Sequence, residues 1–173
     1  MEIKRRFIEN LDQLACLPGY HWELIAAKHS DFILAWRNDP ENLRFFEGQD
    51  SLTIEKQADF LNRYDELDRV DLVLVKDVPL GVFNIKNLTA FPEYGALIGS
   101  LEYRGKGLGF QVKKAIFDYW FNVIGMDRIY IKNRLINENG ISSNLKIGFK
   151  QVGLDEQFVT LELSRQQFNQ DRL

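Results

Sequence analysis

From Glu102 to Gly109 the chain reads Glu-Tyr-Arg-Gly-Lys-Gly-Leu-Gly, with the apolar run Ala96-Leu97-Ile98 just upstream and a helix-like run from Phe110 to Val123 just downstream. Glycines alternating with longer residues let the backbone turn tightly and leave its N–H groups uncovered. At the start of a helix, those unpaired donors and the positive end of the dipole favour an anion. The chemistry on offer is therefore the binding of a phosphate. The stretch lacks the Gly-Lys-Ser/Thr ending of a Walker loop, and its spacing does not meet the dinucleotide fingerprint.

Arg104-Gly105-Lys106-Gly107-Leu108-Gly109 resembles, residue by residue, the Arg/Gln-x-x-Gly-x-Gly/Ala signature with which the GNAT superfamily of N-acetyltransferases holds the pyrophosphate of acetyl-CoA. Asn137-Glu138-Asn139-Gly140 through Gly148-Phe149 resembles the family's Asn-x-x-Ser/Ala helix, which closes on a Gly-Phe pair. Trp36-Arg37-Asn38-Asp39-Pro40 is similar to the branch that contains ribosomal-protein, polyamine and nucleotide-sugar N-acetyltransferases. The resemblance covers residues 20–165.

It implies an α/β fold of the α+β kind: a mixed, mostly antiparallel central sheet with helices on both faces and a parallel strand pair that splays apart. It implies acetyl-CoA as co-substrate, no metal, and direct attack by a primary amine without a covalent enzyme intermediate. Carried over position by position, Leu97, Ile98 and Gly99 offer main-chain groups to the pantetheine arm, and the Leu97 N–H meets the oxyanion. Arg104, Gly105, Lys106, Gly107, Leu108 and Gly109 surround the phosphates, and Asn137 and Asn144 flank the pantetheine.

An attacking amine must be neutral, so a carboxylate within reach, often through water, is needed to take its proton. Glu47, Asp50 and Glu93 are the candidates, with His29 outside them; Glu47 is preferred because it sits in the loop after Pro40, and Glu93 is second. Where many relatives carry a tyrosine to protonate the leaving thiolate, this chain has Asn144, which donates a hydrogen bond but does not titrate. Gly140 likewise stands where Ser or Ala is usual. Tyr94 or a water then replaces the acid, or the thiol needs none. Arg37, Phe46, Glu47 and Tyr94 are expected to line the acceptor pocket.

A nucleotide-linked amino sugar is the first expectation for the acceptor, followed by a protein N-terminus or a polyamine. A CoA-binding module without catalysis and a purely structural domain are the rival readings. The net charge of -3 weighs against nucleic acid as the main partner, and nothing reads as membrane-spanning. A single cysteine, Cys16, suits a reducing compartment, and the cytoplasm is the expected address. The 173 residues suit one domain spanning 1–173, with 1–20 as an N-terminal extension that covers core or serves a homodimer.

The elements that must position these residues follow from periodicity. Phe7, Ile8, Leu11, Leu14 and Leu17 recur at three and four, predicting a short helix before the Pro18-Gly19 turn. A first strand runs from Trp22 toward Lys28, a helix from Ser30 stops at Asp39-Pro40, and a second helix spans 54–66. Residues 70–75 and 80–85 read as a hairpin, and 93–101 as the strand that delivers the glycine loop. Leu108, Val112, Ala115, Ile116, Tyr119 and Val123 make the apolar stripe of the next helix. Strand 128–132, a short helix over 140–147, and strands 149–152 and 158–164 complete the chain, with 165–173 expected to be a loose tail.

Overall fold

The computed structural model describes residues 2–170, with Leu101 described by its backbone alone. Seven strands form a single sheet in the order β1-β2-β3-β4-β5-β7-β6. The strands are β1 (His21–Leu24), β2 (Arg69–Val75), β3 (Pro79–Lys86), β4 (Glu93–Ile98), β5 (Arg128–Arg134), β6 (Lys150–Leu154) and β7 (Phe158–Ser164). Every neighbouring pair is antiparallel except β4 and β5.

The helices are α1 (Glu2–Glu9), α2 (Ser30–Asn38), α3 (Pro40–Leu43), α4 (Ile54–Asn62), α5 (Leu108–Asp118), α6 (Glu138–Leu145) and α7 (Arg165–Gln170). Asp39 caps α3 by accepting from the Glu41 N–H, with Pro40 in the first turn, where its missing donor is no loss. Thr53 caps α4 in the same way. The alternating side chains of the central strands divide the core in two. Leu72, Leu74, Phe83, Ile85 and Tyr94 pack with α1 and α5 residues such as Phe7, Val112, Ile116 and Phe117. On the opposite face Val73, Val75, Val82 and Leu97 pack with Trp36 and Phe46. The sheet therefore separates the glycine loop's helix from the segment carrying Arg37 and Phe46.

Several of the expected element bounds change, three of them in ways that matter for the site and the core. The first strand ends at Leu24, because Ala27–His29 turns into a short 3-10 helix in which the His29 ring accepts from the Ala26 N–H. The strand before the loop ends at Ile98, since the Gly99 and Ser100 amides both fold back onto the Leu80 carbonyl. Residues 165–170 form α7 rather than a loose tail, because Phe168 is 3% exposed against Phe117 and Phe121; residues 171–173 of that expectation lie outside the described residues. The N-terminal stretch covers the core, with Phe7 and Leu14 buried.

Candidate active site

Strands β4 and β5 stay paired only at their beginnings. Glu93 lies opposite Tyr130, and the Tyr130 N–H donates to the Pro92 carbonyl at 2.8 Å. No further register pair joins them, so the strands part toward their carboxyl ends, the usual ligand position in α/β sheets. A cleft of about 860 Å³ fills the gap and is lined by the glycine loop, both strands, α5, α6 and the loop after α3.

The register decides which main-chain groups face this gap. Gly99 N–H donates to the Leu80 carbonyl at 3.0 Å, and Val82 lies opposite Leu97 in the same unbroken β3–β4 register. Hydrogen-bonded pairs alternate along an antiparallel ladder, so odd-numbered β4 residues turn their amides to β3. Leu97 is one of these, and its amide is directed away from the cleft, against the sequence expectation for an oxyanion donor. Its side chain is buried in the second core cluster. The even-numbered residues Ala96 and Ile98 face the gap instead, just as Pro92 faces β5 lower down. The Ile98 carbonyl is already taken by Arg104 Nε at 2.9 Å.

At one end of the cleft, Gly105 and Gly107 have φ of +72° and +79°, and a β-carbon on either would meet nothing within 4 Å. Only glycine takes this left-handed geometry without strain. Gly107 precedes α5, and among the described residues the amides of Gly107, Leu108 and Gly109 have no acceptor. These are the free donors of a helix start. Leu108 itself is buried in the core, Lys106 is exposed to solvent, and neither lines the cleft. Arg104 lines it, but its guanidinium also bonds Asn42 Oδ1 at 2.8 Å, pinning the end of β4 to α3. Gly99 is needed for a different reason: a β-carbon there would stand 1.9 Å from the Trp36 indole.

Asn137 caps α6, its Oδ1 accepting from the Gly140 N–H at 3.1 Å. A β-carbon on residue 140 would stand 2.6 Å from the Asn137 amide, so the cap side chain would have to shift to admit one. Asn144 is 2% exposed and donates through Nδ2 to Asn133 Oδ1 at 2.8 Å. Its Oδ1 accepts from Lys113 Nζ at 2.5 Å, and Lys113 also donates to Ser143 Oγ at 3.3 Å. Lys113 is 9% exposed on α5, and burial pushes its pKa down to about 8. The sequence expectations do not include it. The signal was its position four residues after Gly109 and four before Phe117, on the helix face turned to the sheet.

On the other face of the sheet, Arg37, Phe46, Glu47 and Glu93 all line the cleft. The Arg37 guanidinium sits 3.8 Å over the Phe46 ring and has no carboxylate partner among the described residues. Burial, then the nearby Arg69 charge, lowers its pKa. Glu47 Oε1 accepts from Lys132 Nζ at 2.5 Å, and this bond holds its carboxyl below the ordinary range. Glu93 is ion-paired with Lys86 at 2.9 Å. Asp50 is exposed and does not line the cleft. His29 is locked, accepting from Ala26 N–H and bonding Glu23 Oε2 at 2.7 Å.

Tyr94 lies in the cleft wall with its hydroxyl buried and, among the described residues, without a partner, and burial raises its pKa. A buried phenol in that state awaits a partner. The free amides, the open glycine cradle, the unpaired strand edge and this orphan hydroxyl together fit a ligand with phosphates at one end and an extended amide chain behind them. Among the described residues no cluster of three metal-ligating side chains occurs, and no helix is long and apolar enough to cross a membrane.

The family described as an acetyltransferase (GNAT) domain matches residues 23–150. No curated protein matches the chain. Among solved structures, a domain from Methanocaldococcus jannaschii superposes with a TM-score of 0.74 at 23% identity, over 84% of this chain and 97% of that one. Spermidine N-acetyltransferase from Vibrio cholerae, solved with CoA and spermine, gives 0.77 at 14% identity over 88% and 99%. Ribosomal-protein-S5-alanine acetyltransferase from Vibrio fischeri gives 0.73 at 19% identity over 89% and 97%.

Proposed function

The chain belongs to the GNAT acetyltransferase family, and from that premise we propose that it moves the acetyl group of acetyl-CoA directly onto a primary amine carried by a neutral or anionic molecule. The observation that carries this reading is the open V between β4 and β5, with free amides at the α5 start at one end and Glu47 and Glu93 at the other side. Acetyl-CoA, when bound, supplies the acetyl group already activated as a thioester.

The chain's own groups divide the work. Amides at the α5 start and the bare glycine backbone hold the phosphates. The gap-facing amides of Ala96 and Ile98 lie along the path of the pantetheine arm, and the one nearest the carbonyl polarises it; removing such a donor typically costs about 100-fold in rate or more. Glu47, whose charged form Lys132 stabilises, takes the proton from the amine, directly or through water. Glu93 is the second candidate for that role.

The pairing of the cleft's charges supports this acceptor class. Both carboxylates in it are already matched by lysines, Glu47 by Lys132 and Glu93 by Lys86, whereas Arg37 has no carboxylate partner among the described residues. Beside Arg37 and Phe46 a polyamine would find no free anion and an unmatched cation. An amine on a phosphate-bearing molecule, such as a nucleotide-linked amino sugar, meets the opposite situation. The named acceptors of the solved relatives, polyamines and a ribosomal protein, are the alternatives.

Calorimetric titration with acetyl-CoA, CoA and dephospho-CoA, for the native chain and Gly107→Trp, tests the reading. Binding by the native chain and its loss in the variant supports it; no binding by folded native protein overturns it. Thiol release from acetyl-CoA with a nucleotide-linked amino sugar, spermidine or an alanine-terminated peptide then assigns the acceptor.

A further inference from the structure

Lys113 is a buried cation that the roles above do not use. It projects from α5 into the wall of the cleft, and no carboxylate lies within ion-pairing distance among the described residues. Two of its three protons are engaged by neutral oxygens of α6, Asn144 Oδ1 and Ser143 Oγ. Asn144 is in turn fixed from β5 through Asn133. A lysine ammonium has three donors, so one remains. An unmatched buried ammonium is costly unless something outside the fold compensates it.

We propose that the Lys113 ammonium faces the sulfur of bound CoA and protonates the thiolate as the C–S bond breaks, with Asn144 as the positioning residue that aims it. This rests on the acetyltransferase reading. In the step, the amine nitrogen bonds to the acetyl carbon, the C–S electron pair stays on sulfur, and a proton passes from Lys113 Nζ to that sulfur. The proton lost by the amine goes to the carboxylate base and on to water, and Lys113 regains its own from solvent through the cleft. Atoms and charge balance as amine plus thioester giving amide plus thiol.

The position explains how a non-titrating Asn144 can stand beside the leaving group: the titrating group is the lysine bonded to it. A proton donor works best when its own pKa lies near the working pH. Lys113, lowered by burial, is in that range. Of the other charged groups in the cleft, Glu93 and Lys132 are held in their own ion pairs, Arg104 is bonded to the end of β4, and the Tyr94 phenol is kept protonated by burial. On the α6 side Ser143 and Asn144 do not titrate, and Lys114, next on α5, is exposed.

The test is the thiolate absorbance of protein-bound CoA as a function of pH, for the native chain, Lys113→Met and Lys113→Arg, with acetyl-CoA affinity measured in parallel. In the native chain the bound thiol ionises at least about tenfold more readily than free CoA; Lys113→Met abolishes that shift, and Lys113→Arg, which keeps the charge, preserves it. Acetyl-CoA, which has no thiol to ionise, binds all three within about threefold, showing that each is folded. A bound thiol that titrates alike in native and Lys113→Met overturns the inference and leaves the acetyltransferase reading standing. Failure of the native chain to bind either ligand overturns both.

Discussion

Glu47 Oε1 lies 2.5 Å from Lys132 Nζ, so the loop after α3 is tied to β5 by an ion pair across the cleft that both residues line. The pair sets the state of the carboxylate: Lys132 stabilises its charged form and lowers its pKa. In Lys132→Met the Glu47 carboxyl, followed by carbon NMR, titrates closer to its ordinary value of about 4.3. Its removal in Glu47→Gln lowers kcat by about 100-fold or more if it is the base, with acetyl-CoA affinity unchanged. Full activity in Glu47→Gln passes the role to Glu93. Stability hardly moves in either variant, because more than half of the Glu47 side chain is exposed and such pairs contribute little.

Gly99 and Trp36 fix the wall between the two faces of the cleft. Gly99→Ala would force a methyl into the indole, and overpacking of this kind costs about 1–3 kcal/mol. A thermal melt shows the loss, and Gly99→Ala combined with Trp36→Leu recovers most of it. A double variant no better than Gly99→Ala alone would mean that the backbone, not the contact with Trp36, requires glycine there.

Glu23 binds Lys28, His29 and His21, and these contacts hold its pKa at about 2. A carboxyl lowered on folding contributes stability above its unfolded value, about 4.3, and loses it as pH falls toward the folded value. At neutral pH Glu23→Gln melts about 2–4 °C lower, matching about 1 kcal/mol for a partly exposed group. The difference from native closes as pH falls from about 4 to about 2. A gap that persists at the acid end would show that the amide disrupts packing around His29 rather than removing a charge.

Phe168→Ala should be among the costliest single changes, about 3–5 kcal/mol, since the ring is buried against Phe117 and Phe121. The sequence around it is polar, which is why the segment reads as a tail until the docking is seen. The strands and α5 were legible because alternation and a three-to-four repeat are local properties of the chain. The glycine loop was legible because its spacing has few other uses. What stayed hidden depends on partners distant in sequence. Which β4 amides face the cleft is fixed by the β3 register, so Leu97 could not be told from Ala96. Lys113 is buried beside α6, to which it bonds through Asn144 and Ser143, and the crowding at Gly140 comes from Asn137 folding back on its own cap.

Arg37 is where acceptor choice should be read. Its guanidinium stands over Phe46 with no carboxylate partner among the described residues, on the face of the sheet opposite α5. Arg37→Ala therefore raises KM for a phosphate-bearing amine by about tenfold or more, the loss of one charge-assisted contact, while acetyl-CoA affinity and kcat change little. For spermidine the same substitution acts in the opposite sense, because a cation next to a polycation is removed. Equal effects on both acceptors would mean that Arg37 only supports Phe46, and the acceptor's charge would then have to be read elsewhere in the cleft.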